Sequence, residues 1–192
     1  MSPRRLLACA RAERGYSLIE MLTVLVIMGV VMTSLTTVFV QASNSESDMN
    51  NRFQAQLTAK LALDKMRREV HCASVVTPTG LSSSVTITLP SYCKTGSGSV
   101  TWCTRSNGTN RYALYRAVGA SCTGGVKWAD YLVPTSTATV SGGALQIFNY
   151  TAQSTTSLAK LQVDFPVDVK PSKTVELYEL LDTIVLRNST RS

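Results

Sequence analysis

The chain has 192 residues, 44% of them hydrophobic and 16% charged, with a formal net charge of +7. Thr (23) and Ser (22) are abundant; this composition excludes a collagen, a coiled-coil rod and an acidic disordered tail. The length allows one domain, or one domain with an appendage. The basic residues do not form the single stripe of a nucleic-acid binder. Arg4, Arg5, Arg11 and Arg14 lie within the first fifteen positions. Lys60, Lys65, Arg67 and Arg68 alternate with Asp64 and Glu69. The spacings Asp64 to Arg68 and Lys65 to Glu69 read as i,i+4 pairs on a solvated helix face. Nucleic acid is therefore not indicated as a partner, although a few surface charges leave such contact open.

Residues 1–15 are short and basic. Residues 21–45 then run without a charged side chain. A bilayer span needs about 20 mostly apolar residues, and a water-free stretch of that length must be helical. Gly29, Thr23, Thr33, Ser34, Thr36 and Thr37 dilute the run. They suit close packing against other helices, or are ordinary for a membrane helix. Residues 46–76 keep the helical period and become amphipathic. Met49, Phe53, Leu57 and Leu61 step by four, and Leu63, Met66, Val70 and Ala73 continue the stripe. No proline falls between Pro3 and Pro78, so one helix is expected from about residue 17 to about 76, roughly 90 Å long. TPTG at 77–80 stops it.

Residues 77–192 change to a β pattern. Strand-like runs are 85–89, 99–105, 111–118, 126–133, 144–151, 158–169 and 174–187. Leu161, Val163, Phe165, Val167 and Val169 alternate as in a strand with one buried face. SNGTN at 106–110 signals a hairpin, and SGG at 141–143 another turn. Pro166 predicts an edge strand or a bulge. The chain is thus expected to be α+β: one long N-terminal helix packed against a mainly antiparallel sheet.

The first twenty residues carry the functional signal. A basic stretch before an apolar run mimics a secretory signal. The small-residue site after the run, QAS at 41–43, is poor, and the helical pattern continues through it. A carboxylate, Glu20, also opens the apolar run, where it is costly unless paired. At ERG followed by YSLIEMLTVLVIMGVV the chain resembles the type IV pilin and type II secretion pseudopilin family. Tyr16 stands where Phe is the family's commonest residue. The resemblance implies a pilin-like fold and cleavage by a prepilin peptidase after Gly15. It also implies methylation of the new amino terminus on Tyr16, and retention of the helix as membrane anchor and filament core. Glu20 would then meet the terminal ammonium of a neighbouring subunit. A buried pair gains little, but losing one partner costs about 3–5 kcal/mol, so the pair sets register. Partners implied are other pilin subunits, the prepilin peptidase, an inner-membrane assembly platform and membrane lipid. The four leader arginines orient the chain in the cytoplasmic membrane as a single pass with the β region outside, later on an extracellular filament.

The division expected is 1–15 leader, 16–45 membrane half of the helix, 46–76 amphipathic half and 77–192 exported head. Removing 1–15 lowers the charge from +7 to +4 and takes Cys9 away. Cys72, Cys93, Cys103 and Cys122 remain as disulfide candidates in an oxidising compartment. Three pairings are open. The Gly/Ser loop between Cys93 and Cys103 favours that bridge, with Cys72–Cys122 tying helix to sheet. The spacings fit no zinc site, and no metal or other cofactor is expected. His71 beside Cys72 reads as a cation near a helix C-terminus, because adjacent helical residues do not face each other. No nucleophile–base motif or phosphate loop occurs, so a membrane-anchored hydrolase has the least support and catalysis is not expected. LALDKMRREV, ALYRAV and DTIVLRN more loosely resemble minor subunits of the PilW/GspJ-like kind. The alternative, by the same export route, is a pilus-tip adhesin or DNA-uptake subunit.

Overall fold

The computed structural model describes residues 15–171 and 177–187. Arg4, Arg5, Cys9, Arg11, Arg14 and the expected start of the last strand at Thr174 lie outside them. The chain forms two compact units, Met1–Asp48 and Met49–Ser192. One helix, α1 (Leu18–Cys72), runs without interruption through both.

In the first unit the described residues are α1 and its approach, and they are exposed up to Ser47. Among the described residues none covers Leu18 (83% exposed), Leu25 or Phe39. The hydroxyls are satisfied within the helix. Thr33 Oγ1 donates to the Gly29 carbonyl at 2.7 Å, Thr36 to Met32 at 2.8 Å and Thr37 to Ser34 at 2.8 Å. Such bonds to the preceding turn hide side-chain polarity inside the helix.

In the second unit the end of α1 packs on an antiparallel sheet. The strands are β1 (Val75–Thr77), β2 (Gly80–Ser82), β3 (Ser84–Leu89), β4 (Gly98–Ser106), β5 (Tyr112–Val118), β6 (Val126–Leu132), β7 (Thr139–Ser141), β8 (Ala144–Gln146), β9 (Phe148–Thr151), β10 (Lys160–Val167) and β11 (Tyr178–Val185). The sheet order is β1-β3-β4-β5-β6-β10-β9-β2, with β11 also on β10, while β7 and β8 form a separate hairpin. The architecture is α+β and type IV pilin-like. The expected hairpins are present. Asn107 N–H donates to the Arg111 carbonyl at 2.8 Å across the β4–β5 loop. Gly142 and Gly143 turn β7 into β8 with φ of 57° and 75°, a conformation that glycine adopts without strain.

Several expectations are corrected. The helix ends at Cys72, not near 76, because Val75–Thr77 pairs with β3. β-branched Val75 and Val76 suit that pleated position better than a helix end. The stripe facing the sheet is Ala55, Ala59, Ala62, Leu63, Met66 and Val70. Met49, Phe53, Leu57 and Leu61 are exposed instead. Three alanines stand on that buried stripe, and the large side chains one step round are left outside. Pro166 does not mark an edge. β10 is interior, and Pro166 sits where its neighbour changes from β9 to β6. Asp164 N–H still reaches the Ile147 carbonyl, and the Pro166 carbonyl accepts from Val133 at 3.0 Å. The missing N–H falls in the gap between these two partners, where no ladder bond is lost. The 144–151 run is broken at Ile147 into β8 and β9.

The cysteines also pair differently. Cys72 bonds Cys93 and Cys103 bonds Cys122, with Cα–Cα separations of 5.9 and 6.1 Å. Cys93 lies in the β3–β4 turn, beyond Leu89↔Gly98, whereas Cys103 stands opposite Ser84 at the far end of that ladder. Five residues of strand are about 17 Å, far outside the roughly 7 Å reach of a disulfide.

The Lys65–Glu69 pair does not lie on a solvated helix face. Glu69 is fully buried. Trp102 Nε1 of β4 donates to Glu69 Oε2 at 2.8 Å. Arg116 of β5 reaches Oε1 at 2.8 Å, and Lys65 reaches it at 3.4 Å. Asp64 is met by Arg67 at 3.2 Å, and Arg67 also grips Asp182 of β11 at 2.9 Å. His71 Nδ1 hydrogen-bonds the Val185 carbonyl at 2.9 Å. Replacing Glu69 by Ala leaves a half-buried guanidinium and a buried indole N–H without an acceptor. Glu69→Ala is expected to cost about 3–5 kcal/mol. A denaturant double-mutant cycle with Arg116→Ala should give a coupling on the order of 2 kcal/mol.

Candidate functional site

The start of the helix is built by local chain chemistry. Ser17 precedes α1, and its carbonyl accepts from Glu20 N–H at 3.0 Å and Met21 N–H at 3.1 Å. Ser17 thereby holds the N-cap position and Glu20 the third helical position. These are the Ser and Glu places of a capping box, S-x-x-E. That signal stands in the sequence at 17–20 and adds to the apolar run as a helix start. Glu20 is the acidic residue of the first turn, where a carboxylate complements the positive end of the helix dipole. Thr23 Oγ1 donates to the Glu20 carbonyl at 2.9 Å.

Gly15 and Tyr16 lie immediately before the helix and are exposed, with Tyr16 at 80%. Among the described residues nothing packs over the bond between them. Glu20 is also exposed, four positions on. Beyond it α1 is the described helix long and apolar enough to cross a membrane, with a mean hydropathy of 2.3 over its most apolar window. A helix apolar on all sides is stable only when lipid or other helices surround it.

Residues 10–36 match the family model of the prokaryotic N-terminal methylation motif. This motif supports a type IV pilin- or pseudopilin-like subunit, a structural subunit rather than a member of a known enzyme family. No curated protein and no solved structure matches the chain. The motif, the apolar helix and the two disulfides form one consistent set. Association with other pilin subunits and with the prepilin peptidase follows from the same motif.

The four disulfide candidates are not gathered with the boundary. They close two loops of the second unit, one at the end of α1 and one on β4. Cys72 is therefore bonded to Cys93, and its neighbour His71 is engaged with β11. Among the described residues no group of three or more His, Cys, Asp or Glu is arranged to hold a metal ion.

Two polar clusters were not legible in the sequence, because each joins residues far apart in the chain. The first surrounds Asp130 of β6. Arg111 Nη2 lies 3.0 Å from its carboxylate, Lys127 Nζ 2.9 Å, and Asn107 Nδ2 donates at 3.0 Å. Tyr131 N–H donates at 2.7 Å, and the Arg111 guanidinium lies 3.7 Å from the centre of the Tyr131 ring. Tyr131 has φ of 64°, a strained conformation for an aromatic residue. The cluster holds it there, and its carbonyl accepts from Asp168 beyond β10. The second cluster surrounds Asp164 of β10, whose Oδ2 accepts from the Thr137 hydroxyl at 2.6 Å, with Glu179 Oε1 3.2 Å from the same hydroxyl.

Burial raises the Asp130 carboxyl, but the bonds from Arg111, Lys127, Tyr131 N–H and Asn107 outweigh it and bring the pKa to about 2 from 3.8. A depressed carboxyl stabilises the fold above its unfolded pKa and loses that contribution as pH falls through the folded value. Stability carried by Asp130 is therefore complete above about pH 5 and lost toward pH 2. With the exposed Lys127 discounted, it is on the order of 1–2 kcal/mol. Urea unfolding at stepped pH should show this acid limb, and Asp130→Asn should flatten it.

Proposed function

We propose that the chain is a minor pilin or pseudopilin, assembled through α1 into a type IV pilus or type II secretion filament. The observation that carries this reading is the boundary itself. Gly15 and Tyr16 stand uncovered before a helix that opens on Glu20 and is apolar on all sides thereafter. Prepilin peptidase cuts after Gly15 on the cytoplasmic side and methylates the amino group of Tyr16. The leader arginines stay inside the cell until then, and the second unit is carried across as the exported head.

Residues 16–45 then serve first as a single membrane span and later as filament core. Both settings exclude water, which accounts for hydroxyls bonded back into the helix. The exposed stripe Met49, Phe53, Leu57 and Leu61 extends the surface available to neighbouring subunits. Cleavage leaves an ammonium four positions before Glu20. In axially staggered helices the carboxylate of one subunit meets the ammonium of the next, and displacement by any other register leaves a charge unpaired in apolar surroundings. The two disulfides suit an oxidising compartment outside the cytoplasm. The size of the head and the closing segments favour a minor rather than a major subunit.

Intact mass and amino-terminal sequencing of membrane-extracted protein should return a chain that begins at N-methyl-Tyr16. A chain beginning at Met1, or one cut near Ala42, contradicts the proposal. Glu20→Ala should leave processing at Gly15 intact and reduce recovery of the subunit in sheared filament fractions at least tenfold, as expected when about 3 kcal/mol of pairing is removed. Equal recovery of the variant would remove Glu20 from the register role.

A further inference from the structure

The turn between β4 and β5 carries the one asparagine in the chain that is followed by glycine, Asn107–Gly108. Both residues are exposed. Asn107 N–H closes the turn on the Arg111 carbonyl at 2.8 Å, but the Gly108 N–H has no hydrogen-bond partner among the described residues. Gly108 also has no side chain to shield its nitrogen. The side-chain carbonyl carbon of an asparagine lies within ring-closing reach of the next backbone nitrogen. An uncovered Asn-Gly step therefore holds an electrophile and a nucleophile side by side.

The Asn107 side chain is also part of the fold. Its Nδ2 donates to the Asp130 carboxylate at 3.0 and 3.1 Å. It shares that carboxylate with Arg111, Lys127 and the Tyr131 N–H. Tyr131, held by this cluster at a φ of 64°, stands at a seam in the sheet. β6 meets β10 through one register pair, Leu132↔Val167. Two backbone bonds flank that pair. Asp168 N–H donates to the Tyr131 carbonyl at 2.9 Å, and Val133 N–H donates to the Pro166 carbonyl at 3.0 Å. Among the described residues no other strand pairing joins the β1–β3–β4–β5–β6 part of the sheet to the part built on β10.

We propose that Asn107 is a site of spontaneous deamidation, and that the product loosens the β6–β10 seam through Asp130. The Gly108 nitrogen attacks Asn107 Cγ and forms the new C–N bond of a succinimide ring. The Cγ–Nδ2 bond breaks, and the amide leaves as ammonia, taking up the proton that the Gly108 nitrogen gives away. Water then adds to one of the two ring carbonyls. Opening at the side-chain carbonyl restores the main chain and leaves aspartate. Opening at the backbone carbonyl leaves isoaspartate, with an extra methylene in the main chain. Either product puts a carboxylate where an amide donated to Asp130, so two acceptors face each other with no proton between them. Arg111 and Lys127 still neutralise charge there, which keeps the effect local. Isoaspartate also lengthens the turn closed on Arg111, whose guanidinium lies on the Tyr131 ring. The hold on Tyr131 weakens, and with it the two backbone bonds of the seam.

The test incubates the full chain in non-ionic detergent micelles at mildly alkaline pH, where the backbone nitrogen gives up its proton more readily. Peptide mass mapping follows amide-to-acid conversion at each asparagine, and labelling by isoaspartyl methyltransferase detects isoaspartate. Asn107 should convert at least about tenfold faster than Asn110 in the same turn, which is followed by a bulky arginine. Asn107→Gln, which closes a larger ring, should hold its amide over the same period. The acidic form is then separated by ion exchange and compared with the unconverted chain by hydrogen exchange. The Val133 and Asp168 amides should exchange at least about tenfold faster in it, while the β3–β4 ladder keeps its protection. Asn107→Asp should show the same faster exchange from the outset. If that variant does not fold, the separated acidic form carries the test. Retention of the Asn107 amide over a period that converts it in the urea-unfolded chain overturns the proposal. Conversion that leaves exchange at Val133 and Asp168 unchanged overturns it as well.

Discussion

A helix that is apolar on every side has no stable place in water, and the rest of the molecule is arranged around that constraint. From Leu18 to Val40 the large hydrophobic side chains of α1 have no cover among the described residues. The hydrophobic effect therefore assigns this segment to lipid or to other helices. Polar groups within it must be silent, which the threonine and serine bonds to the preceding turn achieve. Glu20 is the exception, placed in the first turn, where the helix dipole favours a carboxylate.

The same helix changes its solvent in its second half, and the means of that change is Glu69. A fully buried carboxylate would be costly alone. Here Trp102, Arg116 and Lys65 supply donors from two strands and from the helix itself. These contacts lock the rotation of α1 on the sheet, because only one helix face brings Glu69 under Trp102. Ala55, Ala59 and Ala62 lie on the buried face, and the Cys72–Cys93 bridge and the His71 bond to Val185 fasten the helix end. Arg67 adds a third tie, to Asp182. Polar contacts thus set the orientation of a packing whose energy is mainly apolar.

The head uses its remaining carboxylates in opposite ways. Asp130 is surrounded by donors and holds the strained Tyr131 in place. Asp164 has one donor, the Thr137 hydroxyl, which also lies 3.2 Å from Glu179. Charged groups that are fully paired belong to the scaffold.

Much of this was open to reading from the chain alone. The Gly15–Tyr16–Glu20 spacing, the uncharged run behind it and the clean alternation of Leu161, Val163, Phe165 and Val167 are local patterns with periods of 3.6 and 2. Helix and strand follow from them because each depends only on near neighbours. The β4–β5 and β7–β8 turns were legible for the same reason. What tertiary structure alone decided is everything set by register and by the docking of α1. The burial of the alanine face rather than Phe53 and Leu57 was one such outcome. So were the interior place of Pro166, the Cys72–Cys93 and Cys103–Cys122 pairing, and the Glu69, Asp130 and Asp164 clusters. The partners that other elements bring to these clusters stand 19 to 47 positions away, as Arg111 does from Asp130 and Arg116 from Glu69. Periodicity carries no information over such distances, since which residues meet is fixed by how strands align and how closely the helix can approach them.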